Sequence, residues 1–367
     1  MIRRKVLFGA AASGVALSMS AGCTSGAGED AAARAQRRPL ASGYADRTSL
    51  MQELLRYATL APSSHNTQCW KFRVLDGSIT IEPDLSRRCP VVDPDDHHLF
   101  VSLGCAAENL AHAALAHGLQ ASTRFEAAGA GSVMVSLEAT QARESPLYRA
   151  IPARQCTRGD YDGSPIPAAE MRLLAQAGSG DGVRMLLLTE PRQMEQVLAY
   201  VVAGNTAQLG DAAFVAELED WIRFSADEAV RKGDGLYSGA SGNPSVPRWL
   251  GHLAMRWVLT PTSENDRYAR QVRNSAGIAV FASVASDKAH WVEVGRCYER
   301  FALQATALGI RNAFMNQPVE VGSIRPQFGA MLGLGNERPD LVVRFGRGPA
   351  LPLSMRRPVS SVTSALT

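Results

Sequence analysis

The strongest constraint on the fold is a helix-like segment that occurs twice in the chain. Residues Gly104–Leu119, "GCAAENLAHAALAHGL", align at a constant offset with Gly295–Ile310, "GRCYERFALQATALGI". The matching pairs are Gly104 with Gly295, Glu108 with Glu299, Leu110 with Phe301, Ala111 with Ala302, Ala114 with Ala305, Gly118 with Gly309 and Leu119 with Ile310. Apolar residues recur at helical spacing in both, and each segment ends in a glycine suited to a left-handed C-cap. The pattern predicts two copies of one helix, with small residues that allow close packing.

The segments around these helices repeat as well. "LMQELLRYATL" at residues 50–60 and "PAAEMRLLAQAG" at 167–178 are amphipathic helices, and strands are predicted after them at 70–75 and 183–189. Further strands are predicted at 132–139 and 340–346, where the two halves end. The order helix, strand, helix, strand therefore occurs twice and predicts an α+β fold. The alternative is chance similarity between two alanine-rich helices.

The two predicted halves are unequal in length. The first spans residues 47–150 and the second spans 151–360, with a helical insert at about 191–273. Within the insert, residues 232–247 read "KGDGLYSGASGNPSVP". A stretch so rich in Gly, Ser and Pro is typical of a mobile loop or lid.

The N-terminus has the layout of an export signal, which we place at residues 1–23. Arg3 and Arg4 precede a weakly apolar run, and "SAGC" at Ser20–Cys23 resembles a lipobox. The run is too short and too polar for a good membrane span. We expect an exported protein, periplasmic or anchored to the outer side of the membrane through Cys23, with a flexible tether over residues 24–46. The alternative is a cytoplasmic protein with a disordered N-terminus.

Composition excludes several function classes. The net charge of +3 on 367 residues argues against nucleic acid and against an anionic membrane surface, so a lipid anchor is the only membrane contact expected. The cysteines are scattered without a C-x-x-C pair, which indicates neither a disulfide framework nor a zinc site. The acidic residues of "DPDDHHLF" at residues 93–100 are interpreted as capping residues at the start of a helix. The two adjacent histidines should point in different directions on a helix and therefore should not bind one metal ion together. No metal is therefore expected.

Four polar clusters are candidates for a binding site. They are Pro62, Ser63, Ser64 and Asn66 in "LAPSSHNTQCW"; Arg154, Cys156 and Arg158 in "ARQCTRGDY"; Asn316, Gln317 and Pro318 in "NAFMNQPVE"; and Arg356 and Arg357 in "PLSMRRPV". Guanidinium groups match phosphate oxygens, and amides read the edge of a heterocycle, so the set predicts a nucleotide-like cofactor. Taken singly, each cluster is an ordinary turn or solvated surface. Arg296 and Glu299 are interpreted as a surface ion pair.

The joint order of these motifs resembles a known family. "APSSHNTQCWKF" after a helix, followed by "ENLAHAALAHGL", is similar to the FMN-dependent nitroreductase superfamily. "RQCTRGDY", "ALGIRNAFMNQPVE" and "LVVRFGRGPALPLSMRRPV" resemble its Acg-type branch, in which one chain holds two nitroreductase-like halves. The resemblance covers roughly Arg47 to Val359. It implies an α+β nitroreductase-like fold in which the tandem duplication of helix-flanked sheet halves mimics a homodimer, so that a monomer is expected.

The resemblance also implies roles for the four clusters. By position, the phosphate ligands of the cofactor are Arg154, Cys156, Arg158, Arg356 and Arg357. Asn316, Gln317 and Pro318 resemble the loop beside the isoalloxazine ring, and Pro62, Ser63, Ser64 and Asn66 resemble the segment that crosses the dimer interface. This chain departs from the pattern at Cys156, where Ser or Thr is usual, and at Cys69, where Pro is usual. The second half has "AGSGDGVR" in place of the crossing loop, so one complete site is expected.

The function that the resemblance implies is an FMN-binding oxidoreductase. Hydride would pass from NAD(P)H to the flavin and then to a small-molecule electron acceptor, a nitroaromatic or a quinone-like compound. Because the flavin carries the chemistry, no catalytic side chain is assigned. One alternative is a non-catalytic protein that stores or sequesters FMN beneath a lid. Another is a surface-tethered binding lipoprotein without flavin.

Overall fold

The computed structural model describes residues 25–40, 43–44 and 46–364. The predicted export signal at residues 1–23 lies outside the described residues. The helices, in chain order, are α1 (Ser25–Gln36), α2 (Arg47–Thr59), α3 (His97–Ala116), α4 (Pro146–Ala150), α5 (Ala168–Ala177), α6 (Pro191–Gly210), α7 (Ala212–Trp221), α8 (Ala226–Lys232), α9 (Arg248–Val258), α10 (Pro261–Arg273), α11 (Lys288–Ala307), α12 (Gln317–Glu320), α13 (Arg325–Met331) and α14 (Val359–Val362).

The strands form two four-stranded sheets and one short pair. They are β1 (Trp70–Leu75), β2 (Ser78–Pro83), β3 (Leu119–Glu126), β4 (Ser132–Ala139), β5 (Val183–Leu188), β6 (Ile222–Arg223), β7 (Leu236–Tyr237), β8 (Gly277–Ser283), β9 (Arg311–Phe314) and β10 (Arg338–Gly346). The sheet orders are β1-β2-β4-β3 and β5-β8-β10-β9, with antiparallel neighbours throughout. The orders correspond strand for strand, so the two halves share one topology.

The insert occupies one connection of this shared topology. In the first half a tight turn at Asp76 and Gly77 joins β1 to β2. In the second half the equivalent connection, from β5 to β8, contains α6 to α10 and the parallel pair β6–β7. The insert therefore grows out of a hairpin and leaves the sheet order unchanged.

The repeat helices α3 and α11 pack against each other at the centre of the molecule. A Cβ atom placed on Gly104 would lie 2.0 Å from the carbonyl oxygen of Val292, and one on Gly295 would lie 2.0 Å from that of Val101. The two valines are separated by the same offset as the two glycines, so each contact is the image of the other. Such reciprocal contacts define a twofold relation between the halves. The predicted fold class, α+β with tandem duplicated halves, is confirmed.

Among the described helices, α3 is long and apolar enough to cross a membrane. Its apolar window is 78% buried inside the protein, which is the behaviour of a core helix. Its length and composition are accounted for by the packing against α11.

The predicted tether over residues 24–46 is wrong for its first part, where α1 packs against α8. Ala33 is buried in a small apolar cluster with Tyr237 and residues of α8. The buried guanidinium of Arg37 donates to the carbonyl oxygens of Pro152 and Arg154, both at 3.0 Å. Folded structure thus begins well before Arg47. An alanine-rich run carries little apolar periodicity, which is why the sequence pattern did not indicate this helix.

Candidate functional site

A cavity of about 660 Å³ lies where the two halves and the insert meet. The first half contributes Pro62, Ser63, Ser64, His65 and His98, and the second half contributes Arg158, Phe314, Asn316, Gln317 and Arg344. The insert supplies an apolar wall that includes Phe214, Phe224, Leu236, Leu250 and Met255. Cofactor sites commonly take this form, a mostly apolar space with a few placed polar groups.

The loop between α2 and β1 brings the first-half residues to the cavity. Within this loop His65, Asn66 and Gln68 have φ values of 49°, 54° and 54°. Residues other than glycine rarely adopt this left-handed region, and such strain persists only where surrounding contacts hold it. The loop is a built feature of the molecule, since several long-range hydrogen bonds fix it.

Asn66 and Gln68 supply those hydrogen bonds. The amide nitrogen of Asn66 donates to the carbonyl oxygens of Gly235 at 3.0 Å and Met355 at 3.2 Å. The amide nitrogen of Gln68 donates to the carbonyl oxygen of Gly233 at 2.8 Å. Asn66 is therefore a buried anchor to the insert and the C-terminal segment and is not among the residues that line the cavity, so its role as a cofactor ligand stays a prediction. Pro62, Ser63 and Ser64 do line the cavity.

Arg158 and Arg344 are both among the residues that line the cavity. Arg344 is buried, and its guanidinium donates to the carbonyl oxygen of Gly159 at 2.7 Å and stacks 4.1 Å from the ring centroid of Tyr161. Arg158 lines the same cavity. Burial, together with the positive charge of Arg158, lowers the pKa of His65 to about 4. With this histidine neutral at pH 7, the guanidinium groups of Arg158 and Arg344 are available to pair with an anion in the cavity.

Arg344 was missed by the sequence reasoning, although a signal was present. It interrupts the otherwise apolar run "LVVRFG" in a strand whose residues are nearly all buried. Charged side chains are almost never fully buried unless they are paired or serve a ligand. An arginine in the middle of an apolar strand is thus a candidate binding residue.

Asn316 and Gln317 contribute amide groups to the cavity. The carbonyl oxygen of Asn316 accepts from the backbone N–H of Val342 at 2.9 Å, and its amide nitrogen lies 3.4 Å from Nε2 of His98. The amide nitrogen of Gln317 donates to the hydroxyl of Tyr268 at 2.6 Å. These bonds fix both side chains in place. Their role beside a cofactor ring stays a prediction.

Arg154 and Arg356 do not reach the cavity. Nε of Arg154 lies 3.1 Å from a carboxylate oxygen of Glu299, with both side chains buried. Arg154 also donates to the carbonyl oxygen of Leu60, and Arg356 donates to those of Thr59, Leu60 and Ala61 at 2.7, 3.0 and 3.1 Å. These carbonyl groups lie at the C-terminal end of α2. The last carbonyl oxygens of a helix have no partner within the helix and carry partial negative charge, so they attract the two arginines. In this structure the two arginines bind protein carbonyls and, for Arg154, a carboxylate, so their role as phosphate ligands stays a prediction without support from these contacts.

Three further predicted ligands also lie away from the cavity. The backbone N–H of Arg357 donates to the side-chain oxygen of Gln68, and its guanidinium donates to the carbonyl oxygen of Ser361. Cys156 forms a backbone bridge with Asn312. Pro318 is buried in the first turn of α12. Of the four predicted clusters, the structure brings Pro62, Ser63, Ser64, Arg158, Asn316 and Gln317 together at the cavity.

Glu299 and Arg296 do not form the expected surface pair. Burial raises the pKa of Glu299 to about 7, although the charge of Arg154 opposes the rise. Arg296 instead pairs with Glu108 of α3 at 3.0 Å. The two glutamates matched by the repeat are thus both buried, and both pair with arginines.

Asp93, His97 and His98 form a buried cluster whose ligand atoms all lie within 4.8 Å of one another. The two imidazole rings are 4.6 Å apart, contrary to the expectation that adjacent histidines diverge. The carboxylate of Asp93 accepts from the backbone N–H groups of His98 and Leu99, both at 3.0 Å. Nε2 of His97 lies 2.8 Å from the carboxylate of Asp340. These contacts account for the cluster as the start of α3, held to β10.

No protein-family model matches the chain. Over 332 residues it is 24% identical to the Mycobacterium tuberculosis H37Rv protein named "Putative NAD(P)H nitroreductase Rv3131", covering 85% of this chain and 90% of that one. It is 21% identical over 326 residues to "Putative NAD(P)H nitroreductase acg" of the same strain, covering 86% and 95%. Both matches run nearly the full length of the relative. They confirm the resemblance to the Acg-type branch that the motifs indicated.

Solved structures with a similar fold include two nitroreductases. The FMN-dependent nitroreductase NfnB from Mycobacterium smegmatis, in complex with NADPH, has a TM-score of 0.37 at 14% identity and covers 59% of this chain and 91% of that one. A nitroreductase with bound FMN from Bacteroides fragilis has a TM-score of 0.35 at 15% identity, covering 56% and 90%. TM-scores this low carry no functional argument.

Proposed function

We propose that this chain is an FMN-dependent oxidoreductase that takes hydride from NAD(P)H and reduces a nitroaromatic or quinone-like acceptor. The observation that carries the proposal is the cavity shared by the two halves. Arg158 and Arg344 line it, and so do the amides of Asn316 and Gln317. The relatives named as NAD(P)H nitroreductases support a reductase and do not favour the storage alternative.

The residues at the cavity fit such a cofactor. Nη1 of Arg344 and the side-chain oxygen of Gln317 are buried polar atoms without a hydrogen-bond partner among the described residues. A buried donor or acceptor left unpaired costs about 1–3 kcal/mol, so both atoms favour a ligand that pairs with them. A phosphate supplies acceptors for Arg344, and the edge of a flavin ring supplies an N–H for Gln317. This orientation follows from the donor set alone.

The chain's own groups would bind the cofactor, orient it and exclude water from it. Arg158 and Arg344 hold the anionic end, while the hydroxyls of Ser63 and Ser64 are available for further hydrogen bonds. The apolar wall contributed by the insert limits water at the reacting face. The bound flavin would supply the chemistry of hydride transfer.

The proposal is tested by the visible spectrum of the purified full-length chain. We expect a flavin absorbance band that bleaches when NADH or NADPH is added without oxygen and returns when a quinone is added. A missing band after incubation with FMN would refute the cofactor. A band that does not bleach with either nicotinamide would refute the turnover.

A second test addresses the phosphate end. Arg344→Gln and Arg158→Gln should each weaken FMN binding about tenfold or more, because each removes a charged donor to the phosphate. Arg192→Gln, at an exposed position in the first turn of α6, is the matched control and should bind as the parent does. Far-ultraviolet circular dichroism checks that each variant is folded. Parental flavin affinity in both folded cavity variants would overturn the assignment.

A further inference from the structure

Helix α9 has two apolar faces, one that lines the cavity and one that is exposed to solvent. Leu250, Gly251, Ala254 and Met255 line the cavity. On the outer side Trp249, Leu253 and Trp257 are 70%, 51% and 79% exposed. These three residues follow one another at intervals of four, so they form one stripe along the helix, which we call the tryptophan stripe. Two tryptophans so exposed on one helix face require an explanation.

Two residues beside the stripe, Arg248 and His252, contact carboxylates of the insert. The guanidinium of Arg248 lies 2.7 Å from the carboxylate of Glu228 in α8. His252 pairs with Glu219 of α7. The charge of Arg248 is thus matched by Glu228, and the exposed surface of the stripe itself is apolar and aromatic.

We propose that the tryptophan stripe docks the protein on a lipid bilayer, at the boundary between headgroups and acyl chains. Tryptophan favours this boundary because its ring is apolar while its N–H still reaches water. A helix with one apolar face against its own protein and a Trp-Leu-Trp face outside is suited to lie in the plane of the interface. The proposal does not depend on which cofactor the cavity binds.

The place where the N-terminal segment joins the molecule supports a bilayer as the occupant. Helix α1 begins at Ser25 and packs on α8, and Glu29 accepts a hydrogen bond of 2.8 Å from the hydroxyl of Tyr237. The insert that carries α9 is thus also the part that receives the N-terminus. The preceding sequence has basic residues at 3–5, an apolar run at 6–22 and then Cys23. A segment of this composition at a membrane would hold α9 close to the same membrane.

The size of the stripe argues against a second copy of the chain as the occupant. With up to 250 Å² per tryptophan ring, the exposed parts of the stripe amount to roughly 400 Å². A stable protein interface needs about 800 Å² on each partner. Insertion into lipid has no such requirement, because the surrounding acyl chains cover whatever apolar surface enters them.

The test uses the chain's own tryptophan fluorescence. The full-length chain, as the Cys23→Ser variant to prevent lipidation, is mixed with phosphatidylcholine and phosphatidylglycerol vesicles whose acyl chains carry bromine. Of the five tryptophans, Trp70 and Trp291 are buried and Trp221 is partly covered by Arg87 and Arg223. Quenching by bromine therefore reports mainly on the stripe.

We expect vesicles to quench the fluorescence, and we expect Trp249→Ser with Trp257→Ser to weaken vesicle binding about tenfold or more. Leu253→Ser keeps both fluorophores and should weaken binding in the same direction. The matched control is Leu85→Ser with Val284→Ser, which removes apolar side chains that are 46% and 53% exposed elsewhere. This control should bind and be quenched as the parent is.

Three results would overturn the proposal. Vesicle binding without quenching would mean that residues 1–24 alone attach the chain. Protection of the stripe from acrylamide in lipid-free solution would mean that another segment of the chain covers it. Dimerisation that depends on the stripe in sedimentation velocity, without quenching by lipid, would identify a second copy as the occupant.

Discussion

Gly104→Ala should destabilise the protein by separating the repeat helices α3 and α11. The new Cβ would lie 2.0 Å from the carbonyl oxygen of Val292, where real contacts are essentially never closer than 3.0 Å. The obstacle is backbone within a buried helix, so it cannot rotate away as a side chain would. The two helices must therefore move apart by about 1 Å.

The magnitude follows from opposing terms. Overpacking of this kind costs about 1–3 kcal/mol, and a gap of about 1 Å also weakens neighbouring dispersion contacts by a quarter to a half. Alanine regains about 1 kcal/mol of helix propensity over glycine. We expect a net loss of about 2 kcal/mol in the free energy of unfolding. Gly295→Ala should cost a similar amount, because its Cβ meets Val101 at the same distance.

Urea denaturation, followed by circular dichroism, measures this loss. Gly210→Ala is the matched control, since it lies at the end of α6, where the added Cβ would meet no described atom within 4 Å beyond its chain neighbours and its own helix backbone. It should be neutral or slightly stabilising. The double variant Gly104→Ala with Gly295→Ala should lose less than the sum of the single losses, because one displacement relieves both clashes. Additive losses, or a Gly104→Ala variant as stable as the control, would refute the reciprocal packing.

Two further predictions concern the carboxylate between the halves and the anchored loop. Although burial raises the pKa of Glu108, the hydrogen bond with His112 and the charges of Arg300 and Arg296 outweigh it and lower that pKa from 4.5 to about 2. The stability that comes from a lowered pKa is present above pH 4.5 and is lost as the pH falls towards 2. The parent should therefore exceed Glu108→Gln in free energy of unfolding by about 3 kcal/mol at pH 6, and urea unfolding should show this difference shrinking as the pH falls through this range. A difference that does not change with pH would contradict the prediction. Asn66→Ala removes the side-chain hydrogen bond to Gly235 of the insert and leaves alanine at a φ of 54°. Hydrogen exchange around residues 233–237 should therefore speed up about tenfold or more, and parental exchange rates there would contradict the anchoring role.

The duplication could be predicted from the sequence because close helix packing restricts residue choice at particular positions. Gly104 and Gly295 lie where one backbone touches another, and no other residue fits there without displacement. The strand predicted at 132–139 matches β4, and the one predicted at 70–75 matches β1, since alternating burial leaves a period-two pattern. The central strand β8 was not predicted; it is buried on both faces and shows no alternation.

The candidate site could be predicted only in part, because residue type does not identify the acceptor that an arginine meets. Arg154 and Arg356 looked like phosphate ligands but satisfy the carbonyl end of α2, far away in sequence. Arg344 was overlooked, although it lines the cavity and its Nη1 has no hydrogen-bond partner in the described part of the chain. Which carbonyls are left to be satisfied depends on the packing of one half on the other, and that information is not local in the sequence.

A twofold relation between the halves would produce two equivalent sites. The different lengths of two connections explain why the halves differ at these positions. Between α2 and β1, residues 60–69 form the anchored loop that reaches the cavity. Between α5 and β5 the equivalent connection is only residues 178–182, and a Cβ on Gly180 would lie 2.4 Å from Sγ of Cys297. Arg300 closes this place by donating to the carbonyl oxygens of Ala177 and Ser179, as Arg154 and Arg356 do at the end of α2. Both helix ends are thus capped by arginines, but only the longer connection extends past its cap to line a cavity. At the shorter connection, Arg300 occupies the space beside the end of α5, and residues 178–182 are not among those that line the cavity, so the length of the connection accounts for the asymmetry.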